Sequence, residues 1–316
     1  MAGYRAIPPP QTSLHIAINA TPTFATTDIR NMLTVEKKTV WQDKGFLVLE
    51  QFFTEEEVDT VNAVYDRVWE ERPRDVVVDV LATNRRTTMA RLTDNDAQSS
   101  HFKVNDLYLS YPEIRSVCLA PRVVDVLTEL LGEAPILCNT LNLIRGSQQD
   151  IHIDSLYMTP RTPGGLVASW LALENAHPDS GQLVYFPGSH QIPLYRFSNG
   201  GHHALPGELD AWKSYIERQV AERGLEAEHF SARKGDLFIW HANLLHGGSP
   251  IRDAARTRKS LVSHFWTRSD CEAHGCRVEK HANAGWYDRP PQPVPSFYRS
   301  LSQTLHGIVS RIKRAV

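Results

Sequence analysis

GLVASWLALENAHPDSGQLVYFPGSH, residues 165–190, and KGDLFIWHANLLHGG, residues 234–248, decide the architecture of this chain. Each holds short apolar runs closed by Gly, Pro, Asn or Asp, the texture of strands joined by tight turns. Working outward, APILCNTLNLI (134–144) and KSLVSHFW (259–266) repeat that texture. The second half is therefore predicted to be a strand-rich core, with strands along each of these runs. One longer interruption, at about 191–229, contains LDAWKSYIERQVAERG (209–224), which reads as a helix. An insertion of that size in a strand-rich region often serves as a lid or a substrate-binding element.

Toward the N-terminus the texture changes. Residues 1–30 are rich in Pro and Thr with little periodicity and read as a poorly ordered arm. A short helix is predicted over Val35–Lys44, stopped by Gly45, and GFLVLEQFF (45–53) reads as a strand. Thr54 with Glu57 three residues on forms a capping box. It opens a helix whose Val58, Val61, Val64, Tyr65 and Val68 recur at helical spacing. A further helix is predicted from Pro121 to Leu131, with proline in its first turn and Gly132 as its stop. The expected whole is mainly β with α. A double-stranded β-helix core of the jelly-roll, cupin-like type, about 133–268, carries a helical N-terminal layer and the helical insertion, all in one domain over 31–316.

Composition narrows the function classes. With 41% hydrophobic and 22% charged residues and a formal net charge of −2, nothing suggests a nucleic-acid or membrane-surface binder. No run of about 18 apolar residues predicts membrane insertion, and the start MAGYRAIPPPQTS lacks the apolar region of a secretory signal. Four cysteines are too few for a disulfide scaffold, so a cytoplasmic protein is the default expectation. Cys271 and Cys276, with His274 between them, are either half a zinc site or free thiols in a loop. Oligomeric state is left open by the sequence.

The chemistry is concentrated in IHIDS (151–155). On a strand, His152 and Asp154 leave the same face, because side chains alternate with period two. An imidazole beside a carboxylate suits a divalent first-row metal. A third ligand must come from elsewhere. His246, read as the end of the strand GDLFIWHANLLH, is the first choice, with His190, His241 and His264 as rivals. HxD alone is a weak motif in a chain with 14 histidines.

Four stretches in order, HIDSLYMTP (152–160), VASWLALENAHPDSGQLVYFPGSH (167–190), KGDLFIWHANLLHGGSP (234–250) and RKSLVSHFW (258–266), resemble the phytanoyl-CoA dioxygenase family of iron(II)/2-oxoglutarate oxygenases. DKGFLVLEQFFTEEEV (43–58) fits the same family, so the resemblance covers most of the chain from about residue 40. It implies that His152, Asp154 and His246 hold iron(II). It also implies that Arg258 pairs with the far carboxylate of 2-oxoglutarate, a task suited to a guanidinium fork. Trp170 matches a tryptophan lining the cosubstrate pocket. Lys103, in HFKVNDL, matches a lysine near the cosubstrate, and Tyr157 and Ser249 are further candidates. Because the loop from His246 runs a residue longer than in several relatives, Arg256 is a rival to Arg258.

The implied reaction consumes O2 and 2-oxoglutarate, releases succinate and CO2, and hydroxylates an unactivated C–H bond of a small-molecule or carrier-linked substrate. Related halogenases lack a carboxylate at the position of Asp154, so halogenation is disfavoured. Arg85, Arg86 and Arg91 of NRRTTMAR could face an anionic substrate or simply be solvated. Two other readings compete: a cupin-like metalloenzyme that does not use 2-oxoglutarate, and a non-catalytic jelly-roll binding protein.

Overall fold

In the computed structural model, residues 33–94, 96 and 101–295 are described. The arm expected at 1–30 lies outside them. Thirteen strands form among these residues: β1 (Phe46–Leu49), β2 (Val77–Val80), β3 (Arg85–Thr88), β4 (Phe102–Asn105), β5 (Pro135–Leu143), β6 (Leu166–Ala172) and β7 (Leu183–Tyr185), then β8 (Glu228–Phe230), β9 (Leu237–His241), β10 (His246–Gly248), β11 (Ser260–Thr267), β12 (Val278–His281) and β13 (Ala284–Tyr287). The large sheet runs β1-β9-β6-β11-β5-β4-β2-β3, with the hairpin β12–β13 joined through β13 to β5, and the small sheet runs β10-β7-β8.

The two sheets face each other. Trp170, Phe238 and Trp240 of the large sheet pack with Leu183, Tyr185 and Phe230 of the small one, a jelly-roll core. The large sheet's other face is covered by helices Glu55–Glu71, Pro112–Cys118 and Pro121–Leu131 through a second cluster that includes Val58, Val61, Val124, Leu171 and Ile239. Period two along β6 and β9 explains the division: Val167 and Leu171 go to the helices, Ala168 and Trp170 to the small sheet.

The predicted helices form where their end signals stand. Thr54 accepts from the Glu57 N–H while the Glu57 carboxylate accepts from the Thr54 N–H, completing the capping box. Gly45 and Gly132 cap their helices in the left-handed region.

Three expectations change. GFLVLEQFF yields only the four-residue strand β1 before the chain turns at Gln51, at φ 45°. The N-terminal part is more than a helical layer: β1 pairs with β9 and β4 with β5, so it completes the large sheet. GDLFIWHANLLH is two strands rather than one. β9 ends at His241, the chain turns through Ala242–Leu245, and His246 opens β10 in the other sheet.

The insertion packs behind the segment that carries His152 and Asp154. Trp212 and Ile216 of helix Leu209–Arg223 join Ile192 and Phe197 against Ile153, Leu156 and Leu245, and the Ala204 N–H donates to the Leu156 carbonyl. Trp212 is 3% exposed. Trp212→Ala should therefore cost about 3–5 kcal/mol of stability, as truncation of a buried aromatic does. Chemical denaturation of the metal-free protein checks this, and a cost below about 1 kcal/mol would mean that the insertion does not brace the core.

Candidate metal centre

His152 and His246 are brought together by the main chain. Each donates its N–H to the other's carbonyl, at 2.9 and 3.0 Å, an isolated antiparallel bridge between a loop and the first residue of β10. Partners directly opposite in such a pair project to the same side, and the two rings lie 4.4 Å apart between centroids. Gly247 and Gly248 make the approach possible. A Cβ on Gly247 would stand 2.8 Å from the Gln149 carbonyl oxygen, and one on Gly248 would stand 2.6 Å from Gln148 N. The GG after His246 is thus a steric requirement of the crossing chain.

Asp154 arrives differently from the sequence expectation. His152 is a single bridge residue, and a 3₁₀ turn begins at Asp154. Ile153 between them is nonetheless extended, at φ −121° and ψ 143°, so the two side chains still leave on one side. One ligand atom from each of His152, Asp154 and His246 lies within 4.8 Å of the others, and all three residues are buried. This is the one such His/Cys/Asp/Glu group among the described residues. Cys271, His274 and Cys276 do not make another: all are free of disulfides or metal-ligand grouping, and the His274 ring stacks on Trp266 at 4.7 Å.

The hydrogen bonds around the trio prepare it for a cation. His152 Nδ1 donates to the Asp150 carbonyl at 2.8 Å, and His246 Nδ1 donates to the Leu244 carbonyl at 3.0 Å. With hydrogen on Nδ1, each Nε2 turns a lone pair inward. Asp154 Oδ2 accepts from Trp240 Nε1 at 2.8 Å, while Oδ1 faces Nε2 of His152 at 3.9 Å and of His246 at 3.7 Å. Burial pushes the His152 imidazole down to about 4, and neighbouring His246 acts in the same direction. Burial would raise Asp154, but the imidazoles of His246, His264 and His152 outweigh it and hold the carboxyl well below its usual range. A neutral imidazole and an ionised carboxylate are the forms that bind metal.

The trio lines a pocket together with Lys103, Leu141, Trp170, Val262, His264 and Arg258. Arg258 lies two residues ahead of β11 and is 4% exposed. It donates one hydrogen bond, from Nη1 to the Gly181 carbonyl at 2.7 Å, while its buried Nε has no partner. Its guanidinium carbon stands 5.4 Å from the Trp170 ring centre. Burial alone pushes its pKa down to about 10. A buried guanidinium without a carboxylate is costly and invites an anion.

Arg256 is exposed and paired with Asp253 at 2.9 Å, outside the pocket. Lys103 is half-buried and lies 3.7 Å from Asp79. Tyr157 stands outside the lining at 52% exposure, its ring 6.1 Å from that of His152. Ser249 is also outside the lining, with a buried hydroxyl that has no partner. Arg85 pairs with Asp96 and Arg86 with Asp79, both at 2.6 Å, so neither is a spare cation for substrate.

Of the rival histidines, His190 donates from Nε2 to the Gln42 carbonyl at 3.0 Å, and His241 packs 5.4 Å from His190. Both lie away from the trio's pocket. Sequence reasoning missed Trp240, whose signal was its period-two alignment with inward-facing Phe238 on one strand.

His241 carries a pH signature. Burial, then its neighbour His190, pushes it down to about 4. Its folded pKa lies below its unfolded value, so the unfolded chain binds more protons between the two. This stability is present above about pH 6.5 and is lost as pH falls toward 4. His241→Gln should flatten the fall in Tm of the metal-free protein between pH 7 and 5, and an unchanged slope would contradict the buried neutral state.

The jelly-roll fold and a buried trio of two histidines and one carboxylate define the class: a mononuclear non-haem metal oxygenase scaffold. The model of the phytanoyl-CoA dioxygenase family matches residues 41–260. The chain belongs to that family of iron(II)/2-oxoglutarate-dependent dioxygenases. Among its relatives, peroxisomal phytanoyl-CoA dioxygenase of Bos taurus is 21% identical over 268 residues, 81% of this chain and 74% of that protein. A probable alpha-ketoglutarate-dependent hypophosphite dioxygenase of Stutzerimonas stutzeri is 22% identical, over 76% of this chain and 82% of its own. In fold, the chain is similar to the alpha-ketoglutarate-dependent carbocyclase SnoK of nogalamycin biosynthesis, with a TM-score of 0.56 at 16% identity, covering 86% and 97% of the two chains. EctD from S. alaskensis, solved with 2-oxoglutarate and 5-hydroxyectoine, gives a TM-score of 0.53 at 14% identity, covering 83% and 86%. Among the described residues no helix is long and apolar enough to cross a membrane.

Proposed function

We propose that the chain is a hydroxylase, in which His152, Asp154 and His246 hold iron(II) and Arg258 anchors 2-oxoglutarate. One observation carries the reading: a buried guanidinium without a carboxylate partner shares a pocket with three converging ligand atoms. The residues fit the group they would hold. Two neutral Nε2 atoms and one carboxylate oxygen suit iron(II), and a three-residue face leaves positions for a chelating 2-oxo acid and for O2. When bound, the iron with 2-oxoglutarate and O2 supplies oxidative decarboxylation, which yields succinate and CO2 and delivers the oxidising power for the substrate.

The protein's own residues set orientation. Arg258 receives the far carboxylate with its free N–H groups, and Trp170 forms the pocket wall beside it. Lys103 adds a second cation at the pocket. Tyr157, exposed with its ring near that of His152, and Ser249, whose buried hydroxyl has no partner, are assigned supporting parts in binding. Trp240 keeps Asp154 turned so that one oxygen faces the imidazoles. Asp154 occupies the position that halogenation would need vacant, so hydroxylation of an unactivated C–H bond is the outcome we propose. The substrate is a small or carrier-linked molecule handled within a single domain, residues 31–316. Four free cysteines suit a reducing compartment, and we place the protein in the cytoplasm.

Turnover under ¹⁸O2 tests the reading. One labelled oxygen should enter succinate, and the other should enter an alcohol product identified from a panel of small molecules. Succinate formed with no label would contradict it.

A further inference from the structure

His264 projects from β11 into the same pocket and is 5% exposed. Its Nε2 lies 3.5 Å from Asp154 Oδ1, closer than that of His152 or His246. Yet it falls outside the group of atoms that converge as ligands. The neighbouring strand β5 is bulged opposite this residue: His264 pairs with Asn139 and Phe265 with Leu137, so that β5 carries an extra residue, Cys138. The Cys138 thiol donates to the His264 carbonyl at 3.1 Å, fixing the bulge. Regular alternation along β11, which pairs without a shift against β6, turns His264 to the same pocket as Val262 two residues before it.

The ring's surroundings assign its hydrogen. His152 and His246 each tie Nδ1–H to a backbone carbonyl, whereas His264 Nδ1 is buried with no partner. A hydrogen on that nitrogen would be a stranded donor, which is costly, while a bare acceptor there costs less. Hydrogen on Nε2 instead points at a carboxylate.

We infer that His264 is a positioning residue that donates from Nε2 to Asp154 Oδ1 and, with Trp240 on Oδ2, clamps both oxygens of the carboxylate. A carboxylate oxygen has lone pairs for a donor and a metal together. The clamp denies Asp154 a swing to two-oxygen chelation and so keeps coordination positions for cosubstrate and O2. At 3.5 Å the bond is long, and it tightens when the centre is loaded. The inference rests on Asp154 being a metal ligand.

The test is anaerobic titration with iron(II) alone against a competing chelator, for wild type, His264→Met and His264→Gln. Methionine keeps bulk without a donor, whereas glutamine carries an amide N–H to the same place. His264→Met should lose about ten- to a hundred-fold in iron affinity, the usual cost of an outer partner, and His264→Gln should recover most of it. Wild-type affinity in His264→Met, or equal loss in both variants, would overturn the clamp. Failure of wild type to bind iron would instead remove the metal assignment beneath it. A second measurement needs no variant: long-range ¹⁵N–¹H correlation on the wild-type protein should report the Nε2–H tautomer for His264, and Nδ1–H would overturn the inference.

Discussion

His152→Ala should abolish tight iron(II) binding while leaving the fold intact. The bridge that joins residue 152 to residue 246 is made by main-chain N–H and carbonyl groups, so it survives loss of the imidazole. The ring is buried and neutral in the metal-free state, and its two hydrogen bonds are local, to the Asp150 carbonyl and from the Gln149 amide. Its removal should therefore change stability by no more than about 1–2 kcal/mol. Iron affinity should fall far more. Losing an outer partner costs about ten- to a hundred-fold, and loss of one of three direct donors should exceed that range. Equilibrium dialysis and thermal melts on the same sample separate the two effects. Retention of stoichiometric iron by folded His152→Ala would remove the residue from the centre.

Arg258→Met makes a sharper separation, because its two effects have opposite signs. The guanidinium has one carbonyl partner and no carboxylate, and burial has pushed its pKa down to about 10. Replacing a buried, poorly compensated charge by an apolar side chain of similar reach is often neutral or stabilising. The metal-free variant should thus melt at or above the wild-type temperature. Its affinity for 2-oxoglutarate should drop by about 2–5 kcal/mol, roughly thirty- to several-thousand-fold, the cost of deleting one member of a buried charge pair. Lysine at 258 should recover only part of this, since an ammonium cannot form two parallel bonds to a carboxylate. Unchanged 2-oxoglutarate binding, with the loss appearing in an Arg256 variant instead, would move the role to that residue. Its exposure and pairing with Asp253 argue against such a result.

The parts legible in the sequence are those governed by local rules. Thr54 and Glu57 announce their helix because both halves of the capping box lie within one turn. Pro121 and Gly132 bracket another through the φ values they allow. His152, Asp154 and His246 were picked from a short motif and a family pattern, and the fold brings one atom of each within 4.8 Å of the others.

What the sequence hid depends on chain crossings. The run Leu237–Leu245 is interrupted only by His241 and Asn243, too little to mark a strand end, yet the chain there leaves one sheet for the other. His152 looked like part of a strand, but its only ladder partner is His246, remote in sequence. Trp240 and His264 take their places from the strand beside them, β6 for both. Likewise, nothing local to Trp212 says that it will join the buried cluster of Ile153, the residue between His152 and Asp154.

The central claim is that iron(II) and 2-oxoglutarate occupy one pocket, held by His152, Asp154, His246 and Arg258. Anaerobic difference spectroscopy tests it most directly, by adding iron(II) and 2-oxoglutarate to metal-free protein singly and then together. A weak visible charge-transfer band should develop only when both are present, and it should be absent in His152→Ala. A folded wild-type protein that shows no band and retains neither component would contradict the account.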